Sequence, residues 1–101
     1  MAEGLLMEFS GIGVAEYEAV HEKLGLDPDA GTGDYPPGLL MHTAAITGVG
    51  TLAVAEVWRS RTDQETFLAE RLGSALASAG VRSQPTVRWV SLLAFIAPAA
   101  S

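Results

Sequence analysis

Cysteine is absent from this chain of 101 residues, and basic residues are scarce. Without cysteine the chain has no disulfide, no thiolate nucleophile and no Cys-bound zinc, so nothing in it suggests an oxidising compartment. Six Lys and Arg stand against twelve Asp and Glu, and the formal net charge is −6. Nucleic acids and anionic membrane surfaces attract clustered positive charge, so neither is an expected partner.

The chain also lacks the marks of targeting and of several common catalysts. Residues 1–9 contain Glu3 and Glu8 and no basic start before a long apolar stretch, so we expect a cytoplasmic protein without a membrane span. No metal-ligand spacing, glycine-rich phosphate loop or Ser-His-Asp order is present. The sequence therefore predicts no metal site and no bound cofactor.

Apolar residues, by contrast, are abundant. They make up 49% of the chain, whereas charged residues make up 18%. The charged fraction is below the quarter or so that is usual in soluble proteins, so there is more apolar surface than one small core needs. Self-association would bury the surplus, and we expect a homodimer.

Hydrophobic periodicity divides the chain into alternating strands and helices of one domain, 1–101. Apolar side chains recur every three or four residues over 14–24, and Gly25 follows as a helix stop. The predicted elements are a strand over 3–9, a helix over 14–24, a loop over 25–37, a hairpin of strands 38–46 and 51–58, a helix that starts after Ser60 or Thr62 and can bend at Gly73, a strand over 86–96 and a disordered tail over 97–101. This β-α-β-β-α-β order is typical of a ferredoxin-like antiparallel sheet with both helices on one face.

Residues 55–76, AEVWRSRTDQETFLAERLGSAL, carry a more specific pattern. A strand ends in Val-Trp, a basic residue and a Ser at a helix start follow, and an aromatic residue with Leu comes one to two turns later. The pattern resembles the antibiotic-biosynthesis-monooxygenase-like branch of the dimeric α+β barrel superfamily. The resemblance implies an α+β protomer whose open sheet face packs against a second copy.

Activities in that branch are diverse, so the resemblance implies a fold more firmly than a reaction. Its members include cofactor-independent quinone-forming monooxygenases, haem-degrading enzymes, polyketide cyclases and many proteins of unknown activity. The haem-degrading members have an asparagine on strand one, a tryptophan early in helix two and a histidine further along it. Here the matching places hold Met7 or Glu8 and then Phe67, and helix two has no histidine. We therefore do not expect haem degradation.

His42 and Glu56 are the candidate catalytic residues. His42 lies in the apolar run GLLMHTAAI, and Glu56 lies two residues before Trp58 in AVAEVW, on the strand expected to pair with that run. If both face the helices, the carboxylate could orient the imidazole as a general base. The alternatives are a structural His42 bonded to a backbone carbonyl or a carboxylate, and an ion pair of Glu56 with Arg59 or Arg88. A register slip of one residue would reverse the faces, and the sequence does not fix the register.

Four aromatic residues are candidate substrate-binding residues: Tyr17, Trp58, Phe67 and Trp89. They could form the wall of a pocket for a planar ligand, although core or dimer packing is the alternative for each. Tyr17 and His21 are one helical turn apart. We expect them at an amphipathic edge, with the Tyr17 hydroxyl and the His21 ring near water.

Two hypotheses follow for function. The first is a small cofactor-free monooxygenase or cyclase of secondary metabolism, which acts on an aromatic or polyketide-like molecule in a pocket between sheet and helices. The second is a non-enzymatic dimeric protein that binds a small hydrophobic ligand or has an accessory role. A pocket that reaches both His42 and Glu56 would favour the enzyme, whereas a filled core with His42 bonded only to backbone would favour the accessory protein.

Overall fold

The computed structural model describes residues 2–96 and residue 98. The elements are, in chain order, β1 (Glu3–Ser10), α1 (Val14–Leu24), β2 (Leu26–Asp27), β3 (Thr32–Gly33), β4 (Leu39–Gly48), β5 (Thr51–Trp58), α2 (Arg61–Phe67), a π-helical segment (Leu68–Leu72), α3 (Gly73–Ser78) and β6 (Thr86–Ser91). The long strands form one antiparallel sheet in the order β4-β5-β1-β6. This arrangement confirms the predicted ferredoxin-like fold. No helix in the described part of the chain has the length and apolarity to cross a membrane.

The two faces of the sheet differ because successive side chains of a strand point to opposite sides. On β5 the helix-covered face carries Leu52, Val54, Glu56 and Trp58, all of them buried. Trp58 and Leu5 of β1 are fully buried and pack with Phe67 of α2. The main core thus lies between the sheet and the helices, and Glu56 is the only carboxylate among these buried strand positions.

The second helical region is continuous from α2 to α3 but contains one wider turn. Its start is capped by Ser60, whose hydroxyl oxygen accepts a hydrogen bond from the Asp63 backbone N–H at 3.2 Å. Gly73, the residue expected to allow a bend, lies directly after the π-helical segment. Its N–H donates to the Leu68 carbonyl five residues earlier, which is the π-helical pattern, and a Cβ at Gly73 would lie 3.0 Å from that oxygen.

Three predicted boundaries need correction or fall outside the described residues. The segment 25–37 is not wholly a loop, because β2 and β3 pair within it as a short hairpin. The last strand ends at Ser91 and not at residue 96, since its partner β1 begins at Glu3, which pairs with Ser91. Beyond that point no β1 residue is available to continue the ladder. The tail predicted to be disordered, 97–101, lies outside the described residues except for Pro98, which is exposed.

Candidate functional site

His42 and Glu56 lie directly opposite each other on the paired strands β4 and β5. The imidazole Nδ1 and the carboxylate Oε2 are 2.7 Å apart. The Glu56 side chain is 9% exposed and that of His42 is 21% exposed. A carboxylate this deeply buried needs charge-assisted hydrogen bonds to offset its lost hydration, and His42 supplies one of them.

A register shift in β4 places His42 on the helix-covered face. The tight turn pairs Gly48 with Thr51, but Ile46 pairs with Leu52, so Thr47 is an extra residue on the β4 side. Without that bulge, His42 would lie opposite Val57, whose side chain points to the other face of the sheet. One extra residue near the turn therefore determines that His42 meets Glu56.

Trp58 holds the second oxygen of the carboxylate. Its indole Nε1–H donates to Glu56 Oε1 at 2.9 Å, from two residues along the same strand and the same face. Both carboxylate oxygens are thus engaged by fixed partners, one by the indole and one by the imidazole. Glu56 does not pair with Arg59 or Arg88: Arg59 bonds Asp63, and Arg88 lies opposite Leu6 on the other face of the sheet.

Tyr17 closes the other end of this arrangement. Its hydroxyl oxygen is 2.7 Å from His42 Nε2, and the two rings lie nearly parallel, 14° apart. With Glu56 ionised, Nδ1 carries the proton that the carboxylate accepts. In the neutral ring Nε2 then accepts a hydrogen bond from the Tyr17 O–H. We call the chain Tyr17, His42, Glu56 and Trp58 the relay.

His21 supports the relay from one turn further along α1. Its Nδ1 donates to the Tyr17 carbonyl oxygen at 3.0 Å, and its ring centroid is 4.2 Å from that of Tyr17 and 5.7 Å from that of His42. His21 is only 7% exposed, so the expectation that it lies near water is wrong. Burial lowers the pKa of His21, and proximity to His42 lowers it further, while the bond to the Tyr17 carbonyl opposes the shift.

The Tyr17 hydroxyl is bonded to His42, and the Tyr17 side chain is partly exposed. Burial raises the pKa of Tyr17, and the negative charges of Glu56 and Asp29 and the nearby Tyr35 raise it further. At neutral pH the phenol therefore stays protonated. It is a hydrogen-bond donor toward His42 and offers its oxygen lone pairs to whatever lies in front of it.

A wide cleft of about 910 Å³ opens in front of the relay. It runs between α1, the segment 26–35 and strand β4, and both Tyr17 and His42 form part of its wall. Four carboxylates line it, and among the described residues of its wall there is no Lys or Arg: Glu18, Glu22, Asp27 and Asp29. The cleft has the volume for a multi-ring molecule, and its electrostatic field disfavours an anionic one.

A second, much smaller space lies behind the relay, between the sheet and the helices. This inner cavity measures about 80 Å³, and its polar lining residues are Tyr17, His21, Tyr35, His42 and Glu56. Most of its wall is apolar and includes Phe67 of α2. The relay thus lies between a wide open cleft and a small, mainly apolar space.

The predicted substrate-binding residues fall into two groups. Tyr17 lines the cleft and Phe67 lines the inner cavity. Trp58 is fully buried. Trp89 is half-buried, and the Arg61 guanidinium carbon lies 5.0 Å from the centroid of its ring. Within residues 2–96 neither tryptophan contributes to the wall of the cleft or of the inner cavity. The prediction that these two tryptophans contact a ligand therefore needs correction. Trp58 instead holds the Glu56 carboxylate, and Trp89 packs against the core.

The sequence analysis placed His21 outside the site and did not predict that Tyr35 would line both spaces. The position of His21 beside Tyr17 could have been predicted from their spacing, because residues four apart share one face of a helix. Tyr35 follows a segment rich in Gly, Pro and Asp, and nothing in its neighbours indicates which way the segment folds.

Comparison with known proteins agrees with the fold. No family model matches the chain, and no curated protein sequence matches it. Among solved structures, SnoaB from Streptomyces nogalater, a cofactor-independent oxygenase, superposes with a TM-score of 0.66 at 15% identity, over 94% of this chain and 96% of SnoaB.

Two further structures match equally well. A proposed antibiotic biosynthesis monooxygenase from Caulobacter crescentus CB15 has a TM-score of 0.66 at 19% identity and covers 92% of this chain and 91% of its own. The NE2512 protein of unknown function from Nitrosomonas europaea has the same TM-score and identity, with coverages of 98% and 96%. The chain thus has the fold of the antibiotic-biosynthesis-monooxygenase-like proteins, which confirms the predicted resemblance at the level of fold.

Proposed function

We propose that this protein is a cofactor-independent enzyme of the monooxygenase or cyclase type, which acts on a phenolic, polyketide-like molecule bound in the cleft. The observation that carries the proposal is the relay itself. A buried carboxylate orients an imidazole whose other nitrogen is bonded to a phenol at the wall of a roomy cleft. The shared fold with SnoaB, a cofactor-independent oxygenase, supports the same conclusion.

The geometry favours a proton transfer that passes through Tyr17. Because the Tyr17 oxygen is hydrogen-bonded to His42 Nε2, a substrate proton in the cleft can reach that nitrogen through the phenol. A substrate O–H would give its proton to the Tyr17 oxygen while Tyr17 passes its own proton to Nε2. Glu56 stabilises the resulting imidazolium, and Trp58 keeps the carboxylate in place.

Removal of that proton makes the substrate an electron-rich phenolate or enolate. Such an anion can close onto a carbonyl of the same molecule, which is cyclisation, or react with dioxygen. In the second case a ring CH₂ flanked by phenol rings becomes a carbonyl: one dioxygen is consumed, one of its oxygen atoms enters the product and the other leaves as water. Of the two reactions we favour oxygenation, because of the likeness to SnoaB.

The test uses 1,8-dihydroxyanthrone as the probe, with dioxygen uptake and quinone absorbance as readouts. Wild-type protein is expected to accelerate both, and His42→Gln to lose roughly 10²- to 10⁴-fold in kcat, the usual contribution of a general base. Glu65→Gln, on the exposed surface of α2, is the control and should retain activity. No acceleration of any anthrone or polyketide by the folded wild type would favour the non-enzymatic alternative.

A further inference from the structure

The inner cavity is too small for the molecule that the cleft can hold. Apolar cavities of about 150 Å³ stay dry and bind benzene or xenon. The inner cavity, at about 80 Å³, is roughly half that size. It therefore excludes a fused aromatic ring system but has room for a molecule of two or three atoms.

Its wall makes it a poor site for water. The residues around it are mainly apolar and mostly buried, among them Phe9, Val20, Leu52, Val54, Phe67 and Leu72. A buried water needs two to four polar partners. The polar side chains of the wall already have partners. Tyr17, His42 and Glu56 bond in the relay. His21 bonds the Tyr17 carbonyl, Tyr35 bonds the Asp27 carbonyl, and among the described residues no buried side-chain nitrogen or oxygen lacks a partner. A water molecule would therefore give up hydrogen bonds on entering this cavity, whereas an apolar guest has none to give up.

The position of the cavity connects it to the proposed chemistry. Seven residues belong to the walls of both spaces, Tyr17 and His42 of the relay among them, so a guest in the cavity and a substrate in the cleft would both contact these side chains. Phe67 directly precedes the π-helical segment and Leu72 is its last residue, so the widened turn contributes to the wall opposite the sheet. π-Helical turns occur often at functional sites.

We propose that the inner cavity is a binding site for dioxygen, held next to the relay for reaction with a substrate in the cleft. This inference rests on the proposed oxygenase function and adds to it a separate site for the gaseous co-substrate. The cavity retains dioxygen through its apolar wall alone, without a metal or a flavin.

Xenon is the probe for the site, because it tests the cavity independently of activity. Wild-type crystals pressurised with xenon should show an atom among Val54, Phe67 and Leu72. Val54→Phe should remove it by filling the space, and Leu72→Phe, which fills the space from the opposite wall, serves if Val54→Phe does not fold. Ala77→Leu adds comparable volume on the exposed side of α3 and should leave the xenon in place.

Kinetics with 1,8-dihydroxyanthrone then connect the cavity to dioxygen. A filled variant that is folded by circular dichroism should raise the KM for dioxygen about tenfold, equivalent to about 1.4 kcal/mol, and leave the KM for the anthrone nearly unchanged. An unchanged KM for dioxygen in a variant that excludes xenon would overturn the inference and leave the oxygenase proposal intact. Absence of xenon from the wild-type cavity would also overturn it. Turnover that needs no dioxygen would reject both.

Discussion

His42 of β4 and Glu56 of β5 face each other across one antiparallel strand pair and are joined by a 2.7 Å hydrogen bond. The pair sits between a phenol on one side and an indole on the other. Consecutive members of the relay are joined by single hydrogen bonds, so a substitution at one residue changes the proton positions at the next.

Glu56→Gln should reverse the tautomer of His42. An amide has one acceptor oxygen, and the Trp58 N–H needs it, so the amide N–H₂ would face His42 Nδ1 and donate to it. The proton would move to Nε2, which could then no longer accept from Tyr17. We expect a loss of roughly 10²- to 10⁴-fold in kcat with little change in fold, as in other enzymes whose histidine is held in the wrong tautomer.

The imidazole ¹⁵N chemical shifts check this directly, because protonated and unprotonated ring nitrogens differ strongly. Nδ1 should be protonated in wild type and unprotonated in Glu56→Gln. Glu65→Gln, an exposed exchange of the same chemistry on α2, should leave both nitrogens as they are. Identical His42 spectra in wild type and Glu56→Gln would contradict the hydrogen-bond assignment.

Trp58→Phe should destabilise the protein without moving the backbone of the site. The substitution removes the indole donor of Glu56 Oε1 and leaves a void where a fully buried side chain was. Losing a hydrogen bond to a buried charge and part of a core side chain costs about 2–4 kcal/mol in the free energy of unfolding. Urea unfolding measures it. Trp89→Phe is the matched control: Trp89 is only half-buried, and the loss should be smaller.

Most of the fold could be predicted because it follows from local periodicity. The alternation Leu52, Val54, Glu56, Trp58 on one face of β5 and the three- to four-residue spacing in α1 are local signals, and both elements lie where they predict. The boundary of β6 was missed because it depends on where β1 begins, which is 88 residues away along the chain, from Glu3 to Ser91. The π-helical segment has no comparable periodic signature.

The site was predictable in its residues but not in its geometry. The contact of His42 with Glu56 depends on the bulge at Thr47, and a single-residue bulge near a glycine turn has no unique sequence signal. The contact of Tyr17 with His42 joins residues 25 apart and depends on where α1 lies over the sheet. Trp58 and Trp89 were expected to contact a ligand, but Trp58 is fully buried and Trp89 packs against the core cluster from a half-buried position.

Stability should fall as the pH is lowered through the titration range of His21. The folded pKa lies below the ordinary value of 6.5, so just below pH 6.5 the unfolded chain binds more protons than the folded one. Stability contributed by neutral His21 is therefore present above pH 6.5 and lost as the pH falls below it. The melting temperature of wild type should drop more steeply from pH 7.5 to pH 5 than that of His21→Leu. Equal slopes would show that His21 titrates as it does in the unfolded chain.

The open face of the sheet should join two copies of the chain, a homodimer that we propose as the functional unit. Leu6 on this face is 42% exposed, and Ala55, Val90 and Leu92 on the same face are partly exposed, which leaves an apolar surface for a second sheet to cover. Light scattering at micromolar concentration should give a dimer, and Leu6→Lys should shift it toward monomer. Val49→Lys, at the exposed β4–β5 turn, is the control. A monomeric wild type would reject the dimer.

Asp29 should tune both the phenol of Tyr17 and the preference for substrate charge. Its charge is one of those that raise the pKa of Tyr17, and it belongs to the carboxylate-lined wall of the cleft. Asp29→Asn should therefore lower the pKa of Tyr17, which ultraviolet titration can follow after subtraction of the Tyr17→Phe spectrum.

The same variant should narrow the difference in KM between 1,8-dihydroxyanthrone and an analogue that carries a carboxylate, because the cleft repels the anion in wild type. The difference should also shrink as salt is added, since an exposed rim is screened within about 10 Å at 0.1 M ionic strength. A wild-type protein that takes the anionic analogue as readily as the neutral one would show that the acidic rim does not face the bound molecule.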